Sequence, residues 1–399
     1  MEPVRSRADL IGAIVYEAKE WRRELHSHPQ TKYEETFASD FVCRKLSEWD
    51  ISCESGIAVT GVVATIEGRS NKSGRAVAFR ADMDALDITE ASGQPWTSRN
   101  PGKMHACGHD GHTATLLALA RYLQQSRNFD GTVRLIFQPA EEGGMGAVRM
   151  IEEKLLERFP FDEIYAYHNW PYAPRGSFSI ANGKMLAAAD EFHVEFLGQG
   201  GHAAMPELAR DVVPAACSFV LAVQSLVSRE MKPTETALVT VANVHAGTGA
   251  VNVISGNAKV SGTVRTFHEK DRSHMEARIA QMAEAVATLY RAKVKVEYLR
   301  HMDPVINDPA AVEYCRAAAS KIAGETNVLP FEPVMGAEDF GGFLSVRPGA
   351  FIAVGQREAE KDSPHNAPLH SPKYDFNDEI IGLSAEYFAE LAEKRLPIE

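Results

Sequence analysis

The chain has 399 residues, 45% of them hydrophobic, enough to bury a sizeable core and to form two domains. Acidic residues outnumber basic ones 54 to 42, and the formal charge of −12 leaves no basic surplus to neutralise phosphates, which argues against a nucleic-acid or anionic-membrane partner. No apolar run is long enough to span a bilayer, and five irregularly spaced cysteines fit a reducing compartment better than a disulfide framework.

The opening stretch MEPVRSRADLIGAIVYEAKEW reads as an amphipathic helix without the continuous apolar segment of a signal peptide, so a cytoplasmic protein is expected. Residues 59–66, 76–80, 132–137 and 164–167 are short apolar runs with the character of buried strands, and 112–125 and 145–158 carry helical periodicity. This alternation predicts an α/β fold with helices on both faces of a mostly parallel sheet. From about residue 191 the order changes to strand 191–197, helix 206–228, strands 237–244 and 258–267, helix 271–290 and strand 293–298. That is the β-α-β-β-α-β order of a ferredoxin-like fold. After about residue 300 the α/β character resumes, with a strand at 350–354 and a closing helix at 378–391. The expected organisation is a discontinuous catalytic domain, residues 1–186 and 299–399, interrupted by a ferredoxin-like insertion at 187–298.

The densest chemistry lies in Met104-His105-Ala106-Cys107-Gly108-His109-Asp110-Gly111-His112, directly before an apolar helical run. Three imidazoles, a thiol and a carboxylate are costly to bury unpaired, and a bound cation pairs them together. Cys107 and His109, two apart, can both reach one metal edge. Other candidate ligands follow strand ends, where open α/β sheets place their sites. The run 132–137 leads into Gln138-Pro139-Ala140-Glu141-Glu142-Gly143-Gly144, the run 164–167 into His168-Asn169-Trp170-Pro171, and Ala367-Pro368-Leu369-His370 adds a further histidine near the C-terminus. Taken singly, each is an ordinary turn or hydrogen-bonded residue; their placement after successive strands points to a metal site. Two adjacent carboxylates repel each other, and a dinuclear cation site relieves that repulsion while leaving one carboxylate to act as a base.

Together with Arg80-Ala-Asp-Met-Asp-Ala-Leu, Leu25-His-Ser-His-Pro, Gly200-Gly-His-Ala-Ala-Met-Pro, Gly262-Thr-Val-Arg-Thr-Phe and Gly336-Ala-Glu-Asp-Phe, these segments resemble the M20 metallopeptidase superfamily. The resemblance is to its amidohydrolase branch of hippurate and indole-acetyl-amino-acid hydrolases, and it covers nearly the whole chain. It implies that Cys107, His109, Glu142, His168 and His370 hold two divalent metal ions, Cys107 as a thiolate able to bridge them. Manganese is the first expectation, and the donor set also tolerates zinc, cobalt or nickel. Glu141 would be the general base, and Asp82 would orient a ligand imidazole. Other branches carry a ligand histidine where this chain has Arg80.

The resemblance extends to the insertion, which would serve as lid and dimerisation module of a homodimer or homotetramer. His202 corresponds to a histidine that reaches a neighbouring subunit's site and stabilises the developing oxyanion. Asn252 and Arg265 match positions expected to hold the substrate's free carboxylate, Arg265 through its bidentate fork. His26 and His28 are expected to pack or cap. The implied reaction cleaves a small-molecule N-acyl-amino acid, hippurate or indole-acetyl conjugates first, into a carboxylic acid and an amino acid. Alternatives are a deaminase of aromatic amines, a dipeptidase and a non-catalytic metal-binding protein. Against the last stands Glu141, since a mere metal holder has no need of a second, unligated carboxylate. Departures from the family pattern are Asp87 and Ser255 in place of prolines, and Tyr172 and Arg175 where smaller residues are usual. They touch no proposed ligand and bear on the substrate, because pocket shape decides it.

Overall fold

All seven residues of the strand Ala76–Asp82 are buried, and a strand without an exposed face belongs inside a sheet covered on both sides. It sits centrally in an eight-stranded sheet, in the order Ser52–Ile57, Gly61–Glu67, Thr132–Gln138, Ala76–Asp82, Glu163–Pro174, Gly349–Arg357, Phe178–Ile180, Val328–Pro330. Its two neighbours run parallel to it; Gly349–Arg357 is parallel to Glu163–Pro174, and Val328–Pro330 to Phe178–Ile180. The other three pairings are antiparallel. The expected α/β fold stands, its mixed sheet having a parallel centre and antiparallel pairings toward the edges. At one edge the reason is local: Ala58 and Val59 adopt left-handed conformations (φ 50° and 78°) and turn the chain straight back. A hairpin without a crossover forces antiparallel pairing, and the strand expected from residue 59 begins only at Gly61.

The computed structural model describes residues 6–398, which fall into two compact units. The first holds the large sheet and comprises the chain through Met185, Ile306–Glu332 and everything from Gly342 onward; the second comprises Leu186–Val305 and Pro333–Gly341. In the first unit, helix Arg7–His26 starts at a capping box formed by Ser6 and Asp9, and buries Ile11, Ile14, Ala18, Trp21 and Leu25 at helical spacing. Helix His109–Ser126 is buried at every position from His109 to Ala120, because Arg7–His26 and Ile380–Arg395 both pack on it. The helical run expected at 145–158 is instead broken into Gly146–Glu152 and Leu155–Arg158, with Met145 and Lys154 left-handed (φ 57° and 67°) at the breaks.

In the second unit the strands lie in the order Ala237–Ala246, Asn257–Thr266, Ala188–Leu197, Lys293–Met302, every pairing antiparallel. With helices Val213–Val223 and Glu269–Leu289 this is the ferredoxin-like arrangement. Phe192, Val194 and Phe196 face the helices and meet Phe219, Met275 and Ile279, while Glu191, His193 and Glu195 alternate onto the open face. The helix expected at 206–228 is shorter, because a single 3₁₀ turn at Pro206–Leu208 precedes it and a π turn at Leu226–Glu230 follows. Among the described residues no helix is long and apolar enough to cross a membrane, and the five cysteines are unpaired.

Candidate metal centre

Two neighbours of the central strand, one helix start and a C-terminal loop deliver the candidate ligands of the first unit. Gly108, with φ 101°, lets the chain turn from Cys107 into the helix that begins at His109. A Cβ at Gly108 would lie 2.3 Å from Asn169 Oδ1 and 2.7 Å from the Tyr374 hydroxyl, so only glycine fits. After Thr132–Gln138, Ala140 is left-handed (φ 56°) and presents Glu141 and Glu142. His168 stands within Glu163–Pro174, and His370 itself is left-handed (φ 63°), its N–H donating to Ala106 O at 2.8 Å. A non-glycine residue held in that conformation is the kind of strain that collects at functional sites.

The ligand atoms of Cys107, His109 and His168 lie within 4.8 Å of one another, as do those of Cys107, Glu142 and His370, and those of His109, Glu141 and Glu142. Cys107 Sγ is 3.3 Å from His168 Nε2, and His370 Nε2 is 3.1 Å from Glu142 Oε1. Cys107 thus belongs both to the group with His168 and to the group with Glu142 and His370, the placement a bridging ligand needs.

The donor chemistry fits divalent cations. His109 Nδ1 meets the Asp84 carbonyl oxygen at 2.9 Å, which leaves Nε2 buried without a hydrogen-bond partner. His168 Nδ1 meets the Asn169 carbonyl oxygen at 2.7 Å, which turns its Nε2 toward Cys107. An outer hydrogen bond that sets tautomer and ring orientation is the usual support of a metal-binding imidazole. Burial drives the His168 imidazole well below its ordinary range, so it is neutral and ligand-ready. Burial pushes the Cys107 thiol well up, and Glu142, Glu141 and Asp82 push it further. Burial opposes charge on His109, yet Asp82 and Asp84 raise its imidazolium to about 10. Glu142 is desolvated as well, but His370 and His109 hold its carboxyl below the usual range. Such a surplus of buried carboxylates around a thiol calls for positive charge, which bound metal supplies.

Asp82 lies beside two imidazoles, those of His109 and His112. Its carboxylate accepts from His112 Nδ1 at 2.6 Å and from Arg80 at 2.6 Å, and lies 3.7 Å from His109 Nε2. Arg80, His109 and His112 hold it well below the usual carboxylate range against the cost of burial. The imidazole it orients is that of His112, whose Nε2 is 2.7 Å from Asn169 Oδ1, and Asn169 Nδ2 in turn donates to the Tyr374 hydroxyl at 2.6 Å. The carboxylate beside His109 Nδ1 is that of Asp84, with Oδ1 at 3.2 Å, and Asp84 Oδ2 also accepts the Glu142 N–H at 2.8 Å. Asp84 therefore braces two candidate ligands at once. Its signal in the sequence was the Asp-Met-Asp spacing, which places both carboxylates on one side of an extended segment.

His26 and His28 take structural places. His26 is buried between Asp110 Oδ2 at 2.8 Å and Glu90 Oε1 at 3.2 Å, and the His28 ring stacks on Phe37 at 4.1 Å. His202, Asn252 and Arg265 all belong to the second unit. His202 pairs across from Val253, and Ala203 N–H donates to the Asn252 carbonyl at 3.0 Å, so the first two are neighbours. His202 is exposed, with Nδ1 accepting the Ala204 N–H at 3.0 Å. Arg265 is half-buried on Asn257–Thr266, hydrogen-bonded to Thr263 Oγ1 and to its neighbour's carbonyl, with no salt bridge among the described residues.

An α/β unit that brings thiol, imidazole and carboxylate donors together beside its central strands defines a candidate dinuclear metal centre. The chain belongs to peptidase family M20/M25/M40, whose sequence model matches residues 78–394. It is similar to a hippurate hydrolase of Campylobacter jejuni, 35% identical over 377 residues that cover 94% of this chain and 95% of that protein. An N-acetylcysteine deacetylase of Bacillus subtilis is 35% identical over 373 residues, covering 93% and 94%. Among solved structures, a dinuclear metal binding peptidase from the M20 family of Bacillus subtilis superposes with a TM-score of 0.83 at 32% identity, covering 96% of this chain and 99% of that one.

Proposed function

We propose that this protein is a dinuclear metal-dependent amidohydrolase that cleaves an N-acyl-amino acid into a carboxylic acid and a free amino acid. The observation that carries the reading is that donor groups containing Cys107, His109, Glu142, His168 and His370 are linked through Cys107, His109 and Glu142, with Glu141 beside them. Cys107, His109, Glu142, His168 and His370 would hold the two ions, manganese first, with zinc, cobalt or nickel compatible with the same donors. Bound there, divalent ions supply Lewis acidity at the scissile carbonyl and a lowered pKa for the attacking water.

The chain's own residues do the rest. Glu141, next in sequence to a ligand and buried, takes a proton from the attacking water and returns it to the departing amine. Asp84 fixes His109 and the Glu142 backbone, and Asp82 fixes His112. Arg265 and Asn252 would bind the free carboxylate, and His202 would donate to the oxyanion. The exposed setting of His202 suits action in a second subunit of a homodimer, and the acidic charge balance suits a small-molecule substrate rather than a nucleic acid. The test is a hydrolysis screen of metal-loaded protein across N-acyl-amino acids, with metal content measured on the same sample. Release of free amino acid is expected, and a fully loaded protein that releases none across the panel refutes the reading.

A further inference from the structure

The turn that carries Glu141 and Glu142 is short and strained. Ala140 and Met145, both with a Cβ, are left-handed (φ 56° and 57°), and Gly143 between them has φ 74°. Left-handed backbone is disfavoured wherever a Cβ is present, so such a turn keeps its shape only if its surroundings hold its peptide groups. The strand before it ends at Gln138 and gives no ladder bond to the turn. The hold comes from residues more than a hundred positions earlier. Glu35 is buried, and its Oε1 accepts the Ala140 N–H at 2.9 Å while its Oε2 accepts the Thr60 hydroxyl at 2.6 Å. Tyr33 donates its hydroxyl to the Gly144 carbonyl at 2.5 Å, and Arg149 Cζ lies over its ring at 4.7 Å.

One residue thus fastens the entry of the turn and the other its exit, with the Asp84 bond to the Glu142 N–H between them. Glu35 stands at the N-cap of helix Thr36–Glu48, yet its side chain makes no capping bond to that helix and turns to Ala140 instead. Burial pushes its carboxyl above the ordinary range and Asp84 adds to the push, while the Thr60 bond works the other way. A buried carboxylate is costly to keep for stability alone. What it supplies here is a strong acceptor for the N–H of the residue whose backbone aims Glu141.

We propose that Glu35 and Tyr33 are positioning residues for the hydrolysis: by clamping the two ends of the turn they keep the Glu141 carboxylate aimed at the attacking water. This rests on the amidohydrolase reading and deepens it. A general base acts only within hydrogen-bond reach of the proton it takes, and a misplacement of about 1 Å costs up to roughly 100-fold in rate. Neither residue touches substrate in this scheme, and both act through the backbone on either side of Glu141.

The test measures kcat and KM for N-acyl-amino acids at saturating Mn²⁺, with melting temperature to verify folding. Glu35→Ala should lower kcat by about 10- to 100-fold and Tyr33→Phe, which loses one hydroxyl, by about 3- to 10-fold, with KM changed less than about twofold. Glu35→Gln keeps an acceptor for the Ala140 N–H and gains a donor for Thr60 Oγ1, so kcat should return to within about threefold of wild type. Val312→Ala, buried in helix Pro309–Ala323, is the control for a merely structural loss and should lower the melting temperature while leaving kcat unchanged. A kcat within about twofold of wild type in either folded clamp variant overturns the proposal, as does a loss that Glu35→Gln fails to restore. If Glu35→Ala does not fold, Tyr33→Phe, which keeps the ring, decides. A second measurement is independent of turnover: hydrogen–deuterium exchange of the Ala140 amide in metal-free protein should quicken about 5- to 10-fold in Glu35→Ala and stay near wild type in Glu35→Gln. If the wild type cleaves no N-acyl-amino acid, the hydrolase reading falls, while exchange quickened in Glu35→Ala alone still supports the clamp on the turn. Exchange unchanged in Glu35→Ala overturns the clamp.

Discussion

Asp84 offers the sharpest test of the centre, because one carboxylate supports two candidate ligands through different oxygens. In Asp84→Asn the side chain keeps its shape but exchanges one acceptor for a donor. If the amide oxygen stays toward His109, the amide NH₂ confronts the Glu142 N–H that Asp84 Oδ2 now accepts at 2.8 Å. If the amide turns over, the NH₂ faces His109 Nδ1, which still reaches the residue's carbonyl oxygen at 2.9 Å. The second arrangement is the cheaper, since it leaves no ligand without an acceptor. A buried donor left unpaired costs about 1–3 kcal/mol, and the remaining main-chain bond places this variant near the lower end. At roughly 1.4 kcal/mol per factor of ten, metal affinity should fall about tenfold, the low end of the 10- to 100-fold typical of lost outer partners. Asp84→Ala removes both acceptors and should approach about 100-fold. Competition between protein and a fluorescent chelator for Mn²⁺, at fixed pH and salt, gives the affinities, and melting temperature verifies folding. Folded variants that bind Mn²⁺ within about twofold of wild type would refute the bracing role and with it the assignment of His109 and Glu142 as ligands.

Other expectations follow the same geometry. Glu141→Gln should keep its metal and lose turnover by about 10²–10⁴-fold, the loss expected for a general base; near wild-type hydrolysis would show that another group takes the proton. Cys107→Ser replaces a thiolate with a weaker oxygen donor, so metal stoichiometry after dialysis against a chelator should drop, and an unchanged stoichiometry would remove Cys107 from the ligand set. If His202 acts in a second subunit, mixing inactive Glu141→Gln with inactive His202→Ala under conditions of demonstrated exchange should recover roughly a quarter of wild-type activity, by the symmetry of a two-fold assembly. No recovery would confine His202 to its own chain or to no catalytic part. For His26, burial disfavours the charge, but Asp110 and Glu90 outweigh it and raise the imidazolium from 6.5 to about 9. Its contribution to stability is therefore full below pH 6.5 and lost as pH rises through about 9, worth on the order of 3 kcal/mol. The melting temperature of wild type should fall across that window more steeply than that of His26→Gln, and parallel curves would contradict it.

Much of the centre was readable from residue order. Cys107 and His109 stand directly before an apolar helical run, the Glu141-Glu142 pair and His168 follow runs that read as strands, His370 lies in a proline-punctuated loop, and the choice of Glu142 as ligand came from the family resemblance. The β-α-β-β-α-β order was equally legible, since inward Phe192, Val194 and Phe196 alternate with outward Glu191, His193 and Glu195. Periodicity records which face of an element is apolar, and that is a local property of the chain.

Partnership is not local, and there the tertiary structure decided. Asp82 and Asp84 are chemically identical, and only the packing of helix His109–Ser126 against their strand end gives His112 to one and His109 to the other. At one edge of the sheet the antiparallel hairpin turned on two left-handed residues, Ala58 and Val59, which are not themselves glycines. The run 145–158 has helical periodicity throughout, yet left-handed Met145 and Lys154 break it after the Glu141-Glu142 turn. The alternation of His168, Trp170 and Tyr172 was visible in the sequence as spacing. That Phe331, more than a hundred residues later and just past the strand Val328–Pro330, packs on Trp170 is a tertiary contact that only folding creates.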